Sequence, residues 1–344
     1  MPGIIGWDIS GAHLKAARLE SGAIVDVVQI ACPLWLGLDQ LYKAFDEARA
    51  RLGVADVNVA TMTGELSDAF ADRASGVTAI SKAALQALGP TQIYAGPLGF
   101  VAGDAASENA AVIASANWHA SATFVARHIG EALFVDMGST TTDIIPLTDS
   151  RVAAQGYSDA TRMAHGELVY AGVVRSFLMA GLRLVPFGGR WVPIMNEAFA
   201  TSSDVYRILG DLPEAADLMP TTDGQPKTIE ASRARLARQI GIDARGVSTQ
   251  ALDQLAAYFA EAQLREIYDG ASVALSETLL NKAAPIVGVG AGRFVVERLA
   301  ARLGRTYIDV ADLLPVASAL RGKAADCLPA CAVALLADSS LRMQ

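Results

Sequence analysis

The sequence predicts an α/β protein in which two similar half-domains face a central cleft. Predicted strands and helices alternate along the chain. An acid at the end of a strand, followed by small polar residues, occurs twice, as Asp8-Ile9-Ser10-Gly11 and as Asp136-Met137-Gly138-Ser139. The length of 344 residues is enough for two domains. We expect a first half-domain at 1–128 and a second at 129–344, with a long insert at about 156–284 and a C-terminal helix that could pack back on the first half.

The first half begins with three short strands, Ile4–Ile9, Leu14–Leu19 and Ile24–Ile30, joined by turn residues, so an antiparallel meander is expected. The next segment has apolar residues at helical spacing between Leu38 and Leu52. The rest of this half is predicted as a strand, a helix, the start of a strand and a helix, at Val57–Met62, Val77–Leu88, Ile93–Tyr94 and Ala116–His128.

The second half repeats the pattern of the first. Three strands, Glu131–Asp136, Thr142–Leu147 and Arg151–Gln155, repeat the meander. The insert contains a predicted hairpin of Leu184–Phe187 and Trp191–Ile194. After the insert we expect a strand, a helix, a strand and a closing helix, at Pro285–Val289, Arg293–Leu303, Thr306–Val310 and about Asp326–Leu336.

Composition and charge exclude several classes of function. Hydrophobic residues make up 52% of the chain, but no apolar run approaches the ~20 residues of a membrane-spanning helix, so no membrane association is expected. The net charge of −8 argues against a nucleic-acid partner. The start, MPGIIGWDIS, lacks the basic region of a signal peptide. Cys32, Cys327 and Cys331 lack metal-ligand spacing and are interpreted as buried thiols. We therefore expect a cytoplasmic protein.

The turn Gly138-Ser139-Thr140-Thr141-Thr142 is the best candidate for a phosphate site. A tight turn between strands points backbone N–H groups into one concavity, which binds phosphate oxygens without cationic side chains. A polar hairpin tip is the alternative, but four successive hydroxyls flanked by Asp136 and Asp143 exceed what a tip needs. The sequence favours the phosphate interpretation.

Asp8 and Asp136 end equivalent strands, so they would flank one cleft if the half-domains face each other. Mg²⁺ is commonly held by one or two carboxylates together with waters and phosphate oxygens, and this pair suits it. Each acid could instead cap its own turn. The sequence predicts Mg²⁺ as the cofactor, with both acids as ligands.

Other polar residues near these turns are weaker candidates. Lys15 could reach a phosphate or be an exposed strand lysine, with neither favoured, whereas His13 is expected to be solvated. The run Gly290-Ala291-Gly292 resembles part of a dinucleotide fingerprint, but it lies near the end of the chain. We prefer a strand-to-helix turn whose backbone approaches a nucleotide or substrate closely.

The order of the Asp8, Asp136 and Gly290 turns, with a long insert before the third, resembles the actin/sugar-kinase/Hsp70 superfamily with its ribonuclease H-like domains. The segment Thr61–Asp68 is similar to the Thr-Gly-Glu-Leu segment of its hydantoinase/oxoprolinase-related group. More narrowly, the chain resembles the family of tetrahydromethanopterin-linked one-carbon transfer pathway proteins. The segments that carry this resemblance are Ser115–Trp118, Gly138–Pro146, Gly166–Tyr170, Phe199–Tyr206 and Arg235–Arg238.

The resemblance implies a synthase in methanofuran or methylofuran biosynthesis. That family joins (5-aminomethylfuran-3-yl)methyl diphosphate to γ-glutamyltyramine, forms an aryl ether and releases diphosphate. The furan carbon can carry positive charge as diphosphate leaves, so the main task of the protein would be to stabilise the leaving group. One departure from the family is Thr222, where an acid or Ala is expected, and it concerns the role of the loop Pro220–Pro226 only.

The residues that would stabilise the leaving group are Asp8, Ser10, Gly11, Lys15, Asp136 and Ser139–Thr142. The phenol of the acceptor has a pKa near ~10 and needs a base, for which Glu65, Asp68 and Glu167 are candidates, although each could be a cap or a surface acid. Asn117, Trp118 and Tyr170 could contact the substrates, but core packing is favoured for Trp118 and Tyr170.

Two other functions stay open at this stage. One is an ATP-dependent small-molecule kinase, because the Gly290 turn lies where adenosine would bind in this superfamily. The other is a nucleotide-binding activator-type ATPase, although no cysteines are arranged to bind a cluster. The sequence does not fix the oligomeric state, and a homodimer is one possibility.

Overall fold

The computed structural model describes residues 3–218 and 220–342. Two compact units account for the chain. The first comprises Met1–Ala132, Leu147–Asp159 and Asp309–Gln344, and the second comprises Leu133–Pro146 and Ala160–Ile308. The residues from Asp309 onward, which the sequence predicted within 129–344, therefore belong to the same unit as the N-terminal sheet.

The first unit is built on a six-stranded sheet with the order β3-β2-β1-β4-β5-β6. Strand β1 lies in its middle, antiparallel to β2 and parallel to β4. The strands are β1 Ile4–Ile9, β2 His13–Glu20, β3 Ala23–Ala31, β4 Val57–Met62, β5 Thr91–Tyr94 and β6 Phe100–Ala102. The predicted meander is confirmed, and β1, in the middle of the sheet, is buried along its whole length.

Helices pack against this sheet and fix the direction of the side chains on β1. In the chain order of the first unit they are α1 Leu38–Leu52, α2 Arg73–Leu88, α3 Ala110–Ile113 and α4 Asn117–His128. Trp7 packs edge-on against Phe45 of α1 at 5.4 Å between ring centroids, and its Nε1 donates to Asn58 Oδ1 at 3.0 Å. Because successive side chains of a strand point to opposite faces, Gly6 and Asp8 lie on the face away from α1.

The second unit contains a sheet with the order β10-β8-β7-β13-β14. Strand β7 is hydrogen-bonded to β8, which follows it after the predicted turn, and runs parallel to β13 on its other side. The strands along this part of the chain are β7 Ala132–Met137, β8 Thr142–Thr148, β9 Arg151–Val152, β10 Leu168–Val169, β11 Leu184–Phe187, β12 Arg190–Pro193, β13 Ile286–Val289 and β14 Tyr307–Asp309. Strand β9, which pairs with β8, is shorter than the predicted Arg151–Gln155.

The insert is mainly helical, and β11 and β12 form the predicted hairpin within it. A separate apolar cluster gathers α7, α8 and the first half of α9. The helices from the insert to the end of the chain are α5 Asp159–Ala164, α6 Leu178–Gly181, α7 Ser202–Leu209, α8 Ile229–Gln239, α9 Thr249–Glu277, α10 Arg293–Leu303, α11 Arg321–Asp326 and α12 Leu328–Arg342.

The two sheets share one local design. In each, a central six-residue strand has an antiparallel neighbour that follows directly in the chain and a parallel neighbour that comes later. The fifth residue of that strand is an acid in both units, Asp8 in β1 and Asp136 in β7. The repeat that the sequence indicated is therefore a repeat of strand order and of the position of one carboxylate.

Within the described residues, no single helix is long and apolar enough to cross a bilayer. Ser318–Asp326 and Leu328–Arg342 satisfy that test only when taken together, and they are bent by 104° where they meet. Helix α12 supplies buried core residues of the first unit, including Cys331.

Helix α12 packs on β1 so closely that only glycine fits at position 6. An alanine Cβ there would lie 2.1 Å from the carbonyl oxygen of Ala330. Overpacking of this kind costs roughly 1–3 kcal/mol or more, so we expect Gly6→Ala to lower the free energy of unfolding by about 3 kcal/mol in urea titrations. Gly322→Ala in α11 is the matched control, because a Cβ at that position meets no atom within 4 Å. Equal stability of the two variants would contradict the packing of α12 on β1.

Candidate functional site

Asp8 is a buried carboxylate near the end of β1, with 1% of its surface exposed. Its partners across the sheet are Lys15 on β2 and Thr61 on β4. Burial raises the pKa of Asp8 to about 6, and the Lys15 charge and a hydrogen bond from Ser10 oppose this shift only in part. Asp8 Oδ1 and Thr61 Oγ1 have no hydrogen-bond partner among the described residues. These oxygens can accept a donor or a cation.

The segment that follows β4 brings a second buried carboxylate to this end of the sheet. The N–H of Thr63 donates to the carbonyl of Ile9 at 3.0 Å, so the segment begins beside the end of β1. Glu65 is 1% exposed, and burial raises the pKa of its carboxyl despite a hydrogen bond from Ser115. Its Oε2 has no hydrogen-bond partner in residues 3–218 and 220–342. Glu65 therefore has the burial and the raised pKa expected of a general base.

Ser115 positions Glu65 and was not singled out as a site residue from the sequence. Its Oγ donates to Glu65 Oε1 at 2.8 Å, and its φ of 54° lies in the left-handed region that non-glycine residues rarely adopt. Such backbone strain is concentrated at functional sites. In the sequence, the signal for this residue was its place in Ser115–Trp118, one of the segments that resemble the family.

Trp118 belongs to a buried aromatic group in the first unit. Its ring centroid lies 5.3 Å from that of His119 and 5.7 Å from that of Tyr157. The Tyr94 hydroxyl and His119 Nδ1 are 2.9 Å apart, and burial lowers the pKa of His119 to about 4. The expected core role of Trp118 agrees with its exposure of 1%. Asn117 accepts a hydrogen bond from the N–H of Trp118 at 2.7 Å, which is a local turn contact.

The predicted phosphate turn of the second unit is a tight loop between β7 and β8. The N–H of Gly138 donates to the carbonyl of Thr141 at 2.9 Å, which closes the loop. Among the described residues, no hydrogen bond uses the N–H groups of Ser139, Thr140 or Thr141. Neither Gly138 nor Gly11 has a positive φ, so neither turn requires glycine at that position. The loop offers donors to an anion.

A backbone segment after β10 supports this loop. The N–H groups of Val174 and Arg175 donate to the carbonyl of Ser139 at 3.1 and 2.8 Å. A Cβ on Gly172 would lie 2.4 Å from the Thr140 nitrogen, so only glycine allows this approach. Thr142, which is fully buried, donates its hydroxyl to the carbonyl of Ala171 at 2.6 Å. Thr142 therefore anchors the loop, and its hydroxyl is not available to a ligand.

The turn at Gly290-Ala291-Gly292 lies against the other side of β7. Asp136 pairs with Val289 on β13, and a Cβ on Gly290 would lie 2.4 Å from Asp136 Oδ1. The N–H of Gly292 donates to the carbonyl of Met137 at 2.9 Å. The preferred strand-to-helix turn is thus the observed structure, with α10 starting at Arg293. The second unit brings Asp136, the Ser139–Thr141 loop and the Gly290 turn together.

Several expectations from the sequence were wrong. His13, expected to be solvated, is 6% exposed, and Tyr170, expected in the core, is 54% exposed. His13 starts β2 directly after the turn, where the Ser10 N–H donates to its carbonyl at 3.0 Å, so this turn uses one of the N–H groups predicted for phosphate. Lys15 is half-buried, and its Nζ donates a hydrogen bond to the carbonyl of Asp326 at 3.0 Å.

The remaining predicted acids differ in their surroundings. Asp143 forms an ion pair with the buried guanidinium of Arg162, which makes it a structural residue of the second unit. Glu167 is 1% exposed, and its backbone carbonyl accepts from Ile144 at 2.9 Å. Asp68 is exposed, which leaves it without the buried setting that Glu65 has. The prediction that Asp8 and Asp136 share one cleft stays a prediction.

The surroundings of Asp8 in the first unit fit the predicted Mg²⁺. A buried carboxylate oxygen without a donor suits a hard cation. No group of three or more His, Cys, Asp or Glu side chains in the described part of the chain could hold a metal by itself. Mg²⁺ would therefore need waters or phosphate oxygens as further ligands, which is its usual behaviour with phosphate substrates.

Comparison with known proteins gives three findings. The hydantoinase/oxoprolinase family model matches residues 56–330. A (4-{4-[2-(gamma-L-glutamylamino)ethyl]phenoxymethyl}furan-2-yl)methanamine synthase of Methanocaldococcus jannaschii is 31% identical over 242 residues, which are 70% of this chain and 72% of that protein. The synthase of the same name from Methanococcus vannielii is 33% identical over 128 residues, 37% of this chain and 57% of that protein.

Among solved structures, acetone carboxylase in a nucleotide-free form superimposes with a TM-score of 0.61 at 12% identity. The match covers 88% of this chain and 67% of that one. It shows the fold, which is the actin/sugar-kinase/Hsp70 fold expected from the sequence.

Asp8 should make stability depend on pH. Its pKa is about 6 in the folded protein and lies above the value of 3.8 in the unfolded chain, so the folded state binds the proton more tightly. The penalty for the buried charge is therefore absent below about pH 4 and complete above about pH 6. We expect Asp8→Asn to gain on the order of 2 kcal/mol over wild type between those limits, measured by urea unfolding in chelator.

The control is Asp46→Asn, which changes an exposed acid on α1 and should show no such gain. If the stability difference between Asp8→Asn and wild type were the same at both pH values, Asp8 would not titrate with a raised pKa.

Proposed function

The chain belongs to the hydantoinase/oxoprolinase family, within the group of the two furan-methanamine synthases, and from this we propose that it is a transferase that forms an aryl ether. Its substrates would be (5-aminomethylfuran-3-yl)methyl diphosphate and γ-glutamyltyramine, and diphosphate would be released, in the biosynthesis of a methanofuran-type cofactor. Both relatives are named synthases, which supports an enzyme that acts on small molecules.

The single observation that carries the proposal is the Ser139–Thr141 loop. Its N–H groups are not used by the described residues, and its hydroxyls lie beside them. Donors of this kind bind the oxygens of a leaving diphosphate without adding positive charge. Since they are held in place by Gly172 and the Gly290 turn, they need little reorganisation when the charge develops.

In the proposed reaction the bond between the furylmethyl carbon and the diphosphate oxygen breaks, and diphosphate leaves with the electron pair. The phenol oxygen of γ-glutamyltyramine forms the new bond to that carbon and loses its proton. Mg²⁺ when bound would neutralise part of the diphosphate charge, and Asp8 and Asp136 are its candidate ligands.

Glu65 is the favoured acceptor for the phenol proton. Its carboxyl has a raised pKa, which lies closer to that of a phenol than the pKa of an exposed glutamate does. Ser115 holds one carboxylate oxygen and leaves the other without a protein partner among the described residues. Asp68 and Glu167 remain the other candidates.

The deciding experiment incubates the purified protein with both proposed substrates and Mg²⁺ and measures released diphosphate together with the ether product. We expect turnover without ATP, because the diphosphate substrate already carries its leaving group. Turnover that strictly requires ATP would instead support a small-molecule kinase, and full turnover in excess chelator would remove the role of Mg²⁺.

The loop hydroxyls provide a more local test. Removing both hydroxyls in Thr140→Ala/Thr141→Ala should weaken diphosphate binding about a hundredfold, since two hydrogen bonds to a charged ligand are removed. Affinity for γ-glutamyltyramine should change little, because that substrate carries no phosphate. Isothermal titration with each ligand measures both effects, and Thr249→Ala, which removes an exposed hydroxyl at the start of α9, is the control. Loss of γ-glutamyltyramine affinity alone would contradict the diphosphate role of the loop.

A further inference from the structure

A pocket lies in the second unit, next to the Ala171-Gly172 segment that supports the Ser139–Thr141 loop. Its cavity volume is about 90 Å³, and its walls include Phe177, Leu178, Val205 and Phe259. Ala171 also lines it, and the Ala171 carbonyl accepts the Thr142 hydroxyl at 2.6 Å. The pocket and the loop therefore share one backbone segment, Ala171-Gly172.

Most polar groups that line the pocket are already engaged with one another. Ser176 Oγ accepts from the N–H of Gly172 at 2.7 Å, and Ser202 Oγ accepts from the N–H of Ser176 at 3.3 Å. Gln263 donates to the carbonyl of Gly172 at 3.0 Å and accepts from the Tyr206 hydroxyl at 2.6 Å. These groups shape the pocket, and their principal hydrogen-bonding capacity is used inside the protein.

Glu266 is the exception. It lines the pocket from α9 and has no hydrogen-bond or ion-pair partner among the described residues. The side chain of Glu266 is nevertheless exposed to solvent, and partial burial of its carboxyl raises the pKa of that group. No Lys, Arg or His lines the pocket, so an anionic group would find no counter-charge there. A carboxylate only accepts hydrogen bonds, and the ligand that suits it best is therefore an ammonium group.

The pocket thus suits a small ring that carries an ammonium group and no negative charge of its own. Tyr170 and Phe177, at the opening, are 54% and 44% exposed and offer aromatic faces to such a ring. Of the two proposed substrates, only the furan has a lone ammonium. The free ammonium of γ-glutamyltyramine stands next to a carboxylate, for which the pocket has no cation.

We propose that this pocket binds the aminomethylfuran part of the diphosphate substrate and that Glu266 receives its ammonium group. The inference rests on the proposed function, because it takes its ligand from that reaction. The furan ring is one carbon away from the diphosphate, so it must lie beside the group that binds diphosphate. The backbone shared by the pocket and the loop meets this requirement.

The test uses two probes that lack diphosphate, so that the loop does not dominate binding. They are (5-aminomethylfuran-3-yl)methanol and its neutral analogue (5-methylfuran-3-yl)methanol. On the full chain, isothermal titration should show about tenfold tighter binding of the amine, as expected for one charge-assisted hydrogen bond. Glu266→Gln should abolish that preference and leave the binding of the neutral probe unchanged.

Two further variants make the result specific. Asp269→Asn changes an exposed acid on the same helix that pairs with Arg265, and should keep the tenfold preference. Ala262→Phe places a ring in the pocket and should remove the binding of both probes, while an unchanged melting temperature shows that the chain is folded. Equal binding of the two probes to wild type, or a preference that persists in Glu266→Gln, would overturn the proposal.

The pocket assignment and the proposed transferase reaction can be disproved independently of each other. If wild type releases diphosphate from the two substrates but Glu266→Gln keeps the amine preference, the pocket assignment is wrong and the transferase stands. If the amine preference depends on Glu266 while no diphosphate is released, the ammonium site stands and the proposed reaction is wrong. Displacement of the amine probe by γ-glutamyltyramine alone would assign the pocket to the other substrate and overturn the inference.

Discussion

The close approach of two backbone segments, Gly172 and the Gly290-Ala291-Gly292 turn, to the end of β7 and its loop is the constraint on which the candidate site of the second unit depends. Gly172 lies against Thr140, Gly290 against Asp136 and Gly292 against Met137, at distances that no larger residue would permit. Each approach places a backbone, rather than a side chain, next to the loop. The Ser139–Thr141 loop is thereby held without using its own N–H groups, and a ligand can take them.

The two units offer opposite chemistry at the same position of the same local design. In the first, the atoms near the end of β1 without hydrogen-bond partners among the described residues include the oxygens Asp8 Oδ1, Thr61 Oγ1 and Glu65 Oε2, which suit a cation or a donor. In the second, the unused groups are the N–H donors of the loop, which suit an anion. The same strand order therefore presents unpaired acceptors in the first unit and unpaired donors in the second.

Much of the fold could be predicted from the sequence, because strands such as Ile4–Ile9 are continuous apolar runs bounded by turn residues. Two turns could also be found, because Ser139–Thr142 is a run of hydroxyl residues and Gly290 adopts the left-handed conformation that favours glycine. Ser115 and Gly172 could not be found in this way. Their roles come from contacts with Glu65 and Thr140, which are distant in sequence.

The wrong expectations have the same physical origin. His13 was expected in solvent because it was placed in the turn itself, but it starts β2, where it is buried. Core packing was favoured for Tyr170, but this residue follows a short strand, is exposed and lines the pocket. Burial depends on which elements pack over a residue, and a local pattern does not contain that information.

The buried oxygens of the first unit also bear on what the protein evolved to bind. An unpaired polar atom in the interior costs roughly 1–3 kcal/mol, and a charged one costs more. Asp8 and Glu65 each have such an atom, and burial raises the pKa of both. A ligand that brings a cation or a donor to these oxygens would remove much of this cost. Part of its binding free energy would therefore come from satisfying buried oxygens that have no partner among the described residues of the free protein. Function, rather than stability, is then the reason for retaining two carboxylates where apolar residues would pack better.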